Sequence, residues 1–259
     1  MTGKLHKIFR KESGCLWYGY IPAGAAGLPG CCLRLDKSHR LFKDREKIRA
    51  GAVDGMFIKR YNLPGMVNQL RSWLKMPRPF IALRGEKYLA CAGIDTPEVL
   101  AAVVSLDFLR RREYLATALV EAPELFLNRM LLAGKSCEVW QILLEKFLPA
   151  LKKLHDSGAI HGDLSMRNLY WKGERPGVID LDGMRFFAGK VPDELRIKEC
   201  ARVISSFYMS MPYAPGEISS DLQIPAEKIS AAAAAYGEID PERIAFAVQK
   251  FIRRGRKYL

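Results

Sequence analysis

The chain has 259 residues, with 41 Lys and Arg against 28 Asp and Glu, a formal net charge of +13, and 49% hydrophobic residues. That make-up excludes a disordered tail, a collagen-like rod and a disulfide miniprotein, and the length allows one large domain or two lobes of roughly 100–150 residues each. No run of about 18 apolar residues is present, so no helix is expected to span a membrane, while the positive balance calls for an anionic partner: a nucleotide, a nucleic acid, a phosphorylated glycolipid or an anionic membrane face.

The first stretch, MTGKLHKIFRKESG, is basic but lacks the apolar block of a secretory signal. The six cysteines, at positions 15, 31, 32, 91, 137 and 200, form no C-x-x-C pair. Reduced thiols and a cytoplasmic location are the expectation. Residues 1–34 read as an N-terminal extension of undefined role. Within it, Ala23 to Gly30 is a turn-rich segment with glycines spaced G-x-x-G-x-x-G and no clear helix behind it, the pattern of a plain loop.

From about Leu33 to Tyr61 the pattern is one of short strands. Val53-Asp54-Gly55 signals a turn, and Met56 to Tyr61 (MFIKRY) reads as a strand. Between Ser38 and Gly51 there is no glycine, and the basic residues Lys43, Arg45, Lys47 and Arg49 suit the solvated face of a hairpin. A helix is expected over residues 80–92, stopped by Gly93. Thr96-Pro97 opens an extended stretch, and Glu113 to Val120 reads as a buried strand broken at Glu121-Ala122-Pro123.

The second half is more helical. Trp140, Leu143, Leu144, Phe147, Leu148, Leu151 and Leu154 share one helix face, with Pro149 expected to kink it. Ala231 to Ala235 reads as helix, and Asp240-Pro241 as an N-cap followed by proline at the first helical position. The outline is a strand-rich lobe over residues 35–122 with one key helix, then a helical lobe over 123–259, an arrangement that suits a ligand cleft.

The segment with the most chemistry runs Ile160-His161-Gly162-Asp163-Leu164-Ser165-Met166-Arg167-Asn168, followed by Gly177-Val178-Ile179-Asp180-Leu181-Asp182-Gly183. It has the form H-x-D-x-x-x-x-N, then a short apolar strand ending in Asp, which is the catalytic loop and metal-binding segment of the protein-kinase fold. Phosphoryl transfer needs a carboxylate at the attacking hydroxyl and separate oxygen ligands for Mg²⁺. Asp163 is the candidate base, and Asn168 and Asp180 are the candidate metal ligands. A kinase reading requires a strand lysine for the ATP phosphates and a helix glutamate to orient it. Lys59 and Glu86 stand in the right order and context. The adenine-binding hinge is expected at Glu121 and Ala122.

Two departures set the chain apart from ordinary protein kinases. Ser165 occupies the position two residues after the catalytic Asp, where those enzymes carry Lys, and only 79 residues follow Asp180, with no A-P-E segment.

Phe57-Ile58-Lys59-Arg60, Ala82-Leu83-Arg84-Gly85-Glu86, Cys91-Ala92-Gly93-Ile94-Asp95-Thr96-Pro97 and Ile179-Asp180-Leu181 together resemble the lipopolysaccharide core kinases, the Kdo/WaaP family of Gram-negative bacteria. The resemblance covers residues 40–185. It implies an α+β, two-lobed, protein-kinase-like fold: a small antiparallel-sheet N-lobe with one key helix, and a mainly helical C-lobe. It implies ATP-dependent, Mg²⁺-supported phosphorylation of a heptose or Kdo hydroxyl on the lipopolysaccharide inner core. By position Asp163 is then the base, Lys59 and Glu86 the ATP-positioning pair, and Asn168 and Asp180 the metal ligands. The partner would be a lipid-linked core acceptor, met in the cytoplasm or peripherally on the inner membrane. Basic runs at Lys4 to Lys11, Arg110 to Arg112 and Arg253 to Lys257 could attract it or the anionic membrane surface. Nucleic acid fits less well, since no basic–aromatic alternation forms a stacking platform. The catalytic loop itself, HGDLS, is closer to RIO-like and aminoglycoside-kinase-like enzymes, which act on proteins or small molecules. A catalytically inactive kinase-fold scaffold is the alternative of another class.

Overall fold

The computed structural model describes residues 5–12, 14–22, 32, 34–35, 41–63, 65–107, 110–120, 125–211, 224–237 and 239–255. The chain divides into two compact units, one of Met1–Glu86 with Pro97–Glu121 and the other of Lys87–Thr96 with Ala122–Leu259.

The first unit is built on an antiparallel sheet whose described strands are β1 (Leu5–Glu12), β2 (Cys15–Pro22), β3 (Leu41–Arg45), β4 (Ile48–Val53), β5 (Met56–Tyr61), β6 (Val99–Asp107) and β7 (Arg110–Ala118). Their spatial order is β1-β2-β6-β7-β5-β4-β3. The Asp54-Gly55 turn between β4 and β5 has both residues at positive φ, 50° and 74°, as a two-residue hairpin of right-handed twist requires. The sheet buries Trp17, Ile58, Val103 and Tyr114, and the Trp17 and Tyr114 rings lie 5.5 Å apart.

Two findings extend the sequence reading of this unit. The N-terminal segment is not an appendage: Leu16 to Tyr20 pair with Ala102 to Leu106, so β1 and β2 complete the sheet. The expected helix, α2 (Arg78–Ala92), is preceded by α1 (Met66–Trp73). The division between the units falls within α2, after Glu86. The glycine-containing segment 23–30 lies outside the described residues. Lys43, Arg45 and Lys47 are exposed on the β3–β4 hairpin, where Arg49 is paired with Asp44 at 3.1 Å.

The second unit is mainly helical: α3 (Leu127–Leu132), α4 (Ser136–Ile142), α5 (Leu148–Asp156), α6 (Asp193–Met209), α7 (Ala226–Tyr236) and α8 (Pro241–Gly255). Short two-stranded pairs are formed by β8 (Ala159–Ile160), β9 (Leu169–Lys172), β10 (Arg175–Val178) and β11 (Arg185–Phe186), β9 pairing with β10 and β8 with β11. The apolar face read from Trp140 to Leu154 is buried at every named position except Leu144, which is partly exposed. The backbone beneath it is not one regular α-helix. Residues Leu143–Phe147 form a π turn in which the Leu148 amide donates to Leu143 O, five residues back. Pro149 has no N–H to give and its ring would crowd the carbonyl four residues before it, so the wider turn accommodates it. At the start of α8, Asp240 Oδ1 accepts the Glu242 amide at 2.9 Å, the capping bond its position implies.

Candidate active site

The candidate catalytic loop leaves β8 at Ile160 and is bound on three sides within its own unit. His161 is buried; its Nε2 donates to Ile179 O at 3.0 Å and its Nδ1 accepts the Asp163 amide at 3.4 Å. A carbonyl can only accept, so the Nε2 that faces Ile179 O carries a hydrogen. Gly162 sits at φ 88°, and a Cβ there would stand 2.8 Å from Gly183 O, so only glycine lets the loop pass the turn that follows Asp180.

The 3₁₀ turn Met166–Asn168 then brings the chain back on itself. Asn168 donates from Nδ2 to Asp163 O at 2.9 Å, and its own carbonyl accepts the Ile179 amide at 2.9 Å. These two bonds gather three chain-separated residues: Asp163, Asn168, and Asp180 beside Ile179. With Nδ2 committed to a carbonyl, the remaining side-chain atom of Asn168 is an oxygen, the atom that can ligate a cation. Asp180 is exposed and holds the left-handed conformation, φ 70° and ψ 55°. A non-glycine residue there costs on the order of 1 kcal/mol or more and persists only where neighbours impose it.

Beneath the loop lies Glu199 of α6, 3% exposed. Its Oε1 accepts the Gly162 amide at 2.5 Å, and its Oε2 accepts the His161 amide at 3.2 Å and His155 Nε2 at 2.9 Å. Burial raises its carboxyl pKa, but the His155 hydrogen bond and charge, with His161 and the Gly162 amide, outweigh that and hold it below the usual carboxylate range. His155 bonds in turn to the Tyr236 hydroxyl at 2.7 Å. A further residue of α6, Arg202, binds the loop from outside: its Nη1 donates to Asp163 Oδ1 and to Gly162 O, the latter at 3.1 Å, and its guanidinium lies 5.4 Å from the centre of the Phe251 ring.

Neither Glu199 nor Arg202 was anticipated from the sequence. A signal was present for Glu199 alone: in Arg196-Ile197-Lys198-Glu199-Cys200-Ala201-Arg202-Val203, Arg196 and Glu199 fall among the buried residues of a mainly apolar helix side, where a charge needs a partner, while Arg202 is partly exposed. Nothing in the sequence said which partner.

The donor set fits a magnesium–nucleotide. Among the described residues no cluster of three or more His, Cys, Asp or Glu side chains is placed to hold a metal. Mg²⁺ keeps several waters and takes one or two carboxylates with phosphate oxygens, so the Asp180 carboxylate and the Asn168 amide oxygen suffice.

In the first unit, Lys59 lies on β5, opposite Ala50 on one side and Leu115 on the other, and is 8% exposed. Its Nζ stands 5.1 Å over the Tyr61 ring. Arg60, its neighbour, is partly exposed. Glu86 projects from α2 and accepts the Val99 amide at 3.3 Å. The predicted residues thus fall into two sets, Lys59 and Glu86 in one unit and Asp163, Asn168 and Asp180 in the other. Glu121 and Ala122, the expected hinge, lie outside the described residues.

No protein-family model and no curated protein matches this sequence. Among solved structures, the chain is similar to one described as WaaP in complex with acyl carrier protein, at 17% identity over 87% of this chain and 91% of that one, with a TM-score of 0.53. It is also similar to a crystal structure of WbdD, at 16% identity over 80% of this chain and 44% of the other, with a TM-score of 0.45. A second WbdD structure, described as a bifunctional kinase-methyltransferase, gives 17% identity over 95% of this chain and 48% of that chain, with a TM-score of 0.44. The likeness to the WaaP structure is one of fold, and it is the kinase-like fold that the catalytic-loop pattern led us to expect.

Proposed function

We propose that this protein is an ATP-dependent kinase that phosphorylates a sugar hydroxyl, heptose or Kdo, of the lipopolysaccharide inner core. The observation that carries this reading is the pair of hydrogen bonds that gathers Asp163, Asn168 and the Ile179-Asp180 segment. The resemblance in motifs and the WaaP-like fold support the acceptor class.

Bound ATP would supply the phosphoryl group, and Mg²⁺ the charge that neutralises it. Asn168 and Asp180 would hold the metal. Lys59, steered by Glu86, would hold the α- and β-phosphates. Asp163 would orient the acceptor hydroxyl and take its proton as the oxygen attacks. Arg202 fixes that carboxylate's direction without touching the reacting atoms, which makes it a positioning residue. It also brings a positive charge to the loop in a chain that has Ser165 where protein kinases carry Lys. The acceptor would be lipid-linked and met on the cytoplasmic face of the inner membrane. A RIO-like or aminoglycoside-type kinase acting on a soluble acceptor is the second reading, favoured by the HGDLS sequence of the loop.

Purified protein incubated with ATP and extracted core oligosaccharide tests the reading, with mass spectrometry of the core from cells carrying or lacking the gene. One phosphate gained in vitro and one missing in the deletion strain are expected. The Asp163→Ala variant should keep its fold and lose transfer by at least about a hundredfold. Transfer at the wild-type rate by that variant would remove Asp163 from the mechanism. An unchanged core in the deletion strain would move the acceptor to the second reading.

A further inference from the structure

Helix α1 is mounted inside out. Its polar side faces the sheet: Gln69 Oε1 accepts the Arg111 amide at 2.9 Å, Gln69 Nε2 donates to Leu63 O at 2.8 Å, and Ser72 is buried, its carbonyl accepting Arg111 Nη1 at 2.7 Å. Arg111 is anchored by the buried Glu113 at 2.7 Å, and the same carboxylate accepts the Arg78 amide at 2.8 Å. The opposite side is apolar and open. Met66 is 79% exposed, Val67 61%, Leu70 63%, Trp73 54% and Leu74 91%, and Met76 just beyond continues the patch. At 3.6 residues per turn the five helical and helix-end positions fall within about one third of the circumference. A helix that packed for stability would turn that stripe inward. Here a polar clamp holds it outward.

The charge around the stripe selects its occupant. Between Gly55 and Gly85 there is no Asp or Glu, while Lys59, Arg60, Arg71, Lys75, Arg78 and Arg84 all lie there. Arg71 and Lys75 are exposed beside the apolar stripe. A second copy of this chain would set one basic rim against another. An anionic bilayer meets both halves of the pattern: leucine and methionine enter the acyl boundary, the tryptophan suits the interface, and the Arg and Lys heads reach the phosphates. We propose that α1, with the turn to Met76, is an interfacial membrane-docking element that seats the protein on an anionic lipid surface. This deepens the lipid-linked-acceptor reading above.

Flotation with phosphatidylglycerol-containing vesicles and with purely zwitterionic ones tests it. The assay holds neither ATP nor acceptor, so its result is separate from that of the kinase reading. The wild-type protein should float with the anionic vesicles and little with the zwitterionic ones. Leu70→Glu combined with Leu74→Glu should weaken binding about a hundredfold or more. Arg71→Glu and Lys75→Glu should each weaken it about fivefold or more. All of these side chains are exposed, so far-UV circular dichroism and Tm should stay at wild-type values, and phosphorylation of delipidated core should be retained. A blue shift of tryptophan emission on adding vesicles should shrink in Trp73→Phe, since Trp17 and Trp140 are buried and Trp171, partly exposed, belongs to the second unit. Wild-type protein that stays with the soluble fraction, or a double-glutamate variant that floats as well as wild type, overturns the proposal. So does a dimer by light scattering that the double variant converts to monomer, because the second copy would then be the occupant.

Discussion

Asp163 exposes 74% of its side chain, and an exposed carboxylate alone samples several rotamers. The Arg202 guanidinium removes that freedom by binding Asp163 Oδ1 and Gly162 O together, so carboxylate and loop backbone move as one. An ion pair this exposed adds little stability; its value lies in direction. Arg202→Ala should therefore leave Tm nearly unchanged and lower kcat about 10- to 100-fold, with the KM for ATP close to wild type. Arg202→Lys should recover part of the loss, because an ammonium can still donate to the carboxylate but lacks the rigid guanidinium plane that stands over the Phe251 ring. Steady-state kinetics of the two variants check this; equal losses in kcat and in ATP affinity would show that the loop had moved rather than the carboxylate alone.

At the scale of elements, α6 acts as the floor of the catalytic loop. One carboxylate, Glu199, satisfies two consecutive loop amides and a histidine of α5, tying β8, α5 and α6 at a single point. The loop can follow that path only because Gly162 has no side chain. Gly162→Ala places a methyl group 2.8 Å from a backbone oxygen at a φ of 88°. We expect it to destabilise the protein by about 2–4 kcal/mol in urea unfolding and to displace Asp163 with it. The opposite arrangement is found at α1, where a polar clamp fixes the helix and leaves its apolar side unused by the fold.

Across the whole molecule, two paired carboxylates, the buried Glu199 and the partly exposed Asp156, make stability fall in acid. Burial opposes charge on both Glu199 and Asp156, but their partners win: His155 and the loop amide for Glu199, Lys152 and Arg196 for Asp156. Both therefore release their protons more readily folded than unfolded. Their stabilisation is fully present above the unfolded value of about 4, and it drains away as pH falls through the lower folded values. Tm should accordingly be flat on this account near neutrality and fall below about pH 4, and Glu199→Gln should make that fall shallower while lowering the neutral-pH Tm. A variant whose acid profile parallels wild type would show that Glu199 carries no net charge stabilisation.

Much of this was legible in local sequence because the signals were local. The candidate catalytic residues Asp163 and Asn168 stand in one contiguous loop, Asp54-Gly55 in one turn, Asp240-Pro241 in one cap, and the 140–154 stripe on one helical face, each set by backbone preferences within a few residues. Pairings between distant segments left no such mark. That Leu16 lies beside Leu106 is decided by which strand edge is open once β6 and β7 have formed. That Arg202 meets Asp163 depends on how α6 packs beneath the loop. Helix α1 went unread in the sequence, and its orientation was not there to read: an amphipathic pattern gives two faces and not which one looks inward, and the Arg111–Glu113 clamp chose the polar one. The sequence by itself determined the local elements and the candidate catalytic loop, since both follow from spacing within a few residues; the tertiary structure decided that loop's supports and the exposed face of α1, because both arise from contacts between segments far apart in the chain.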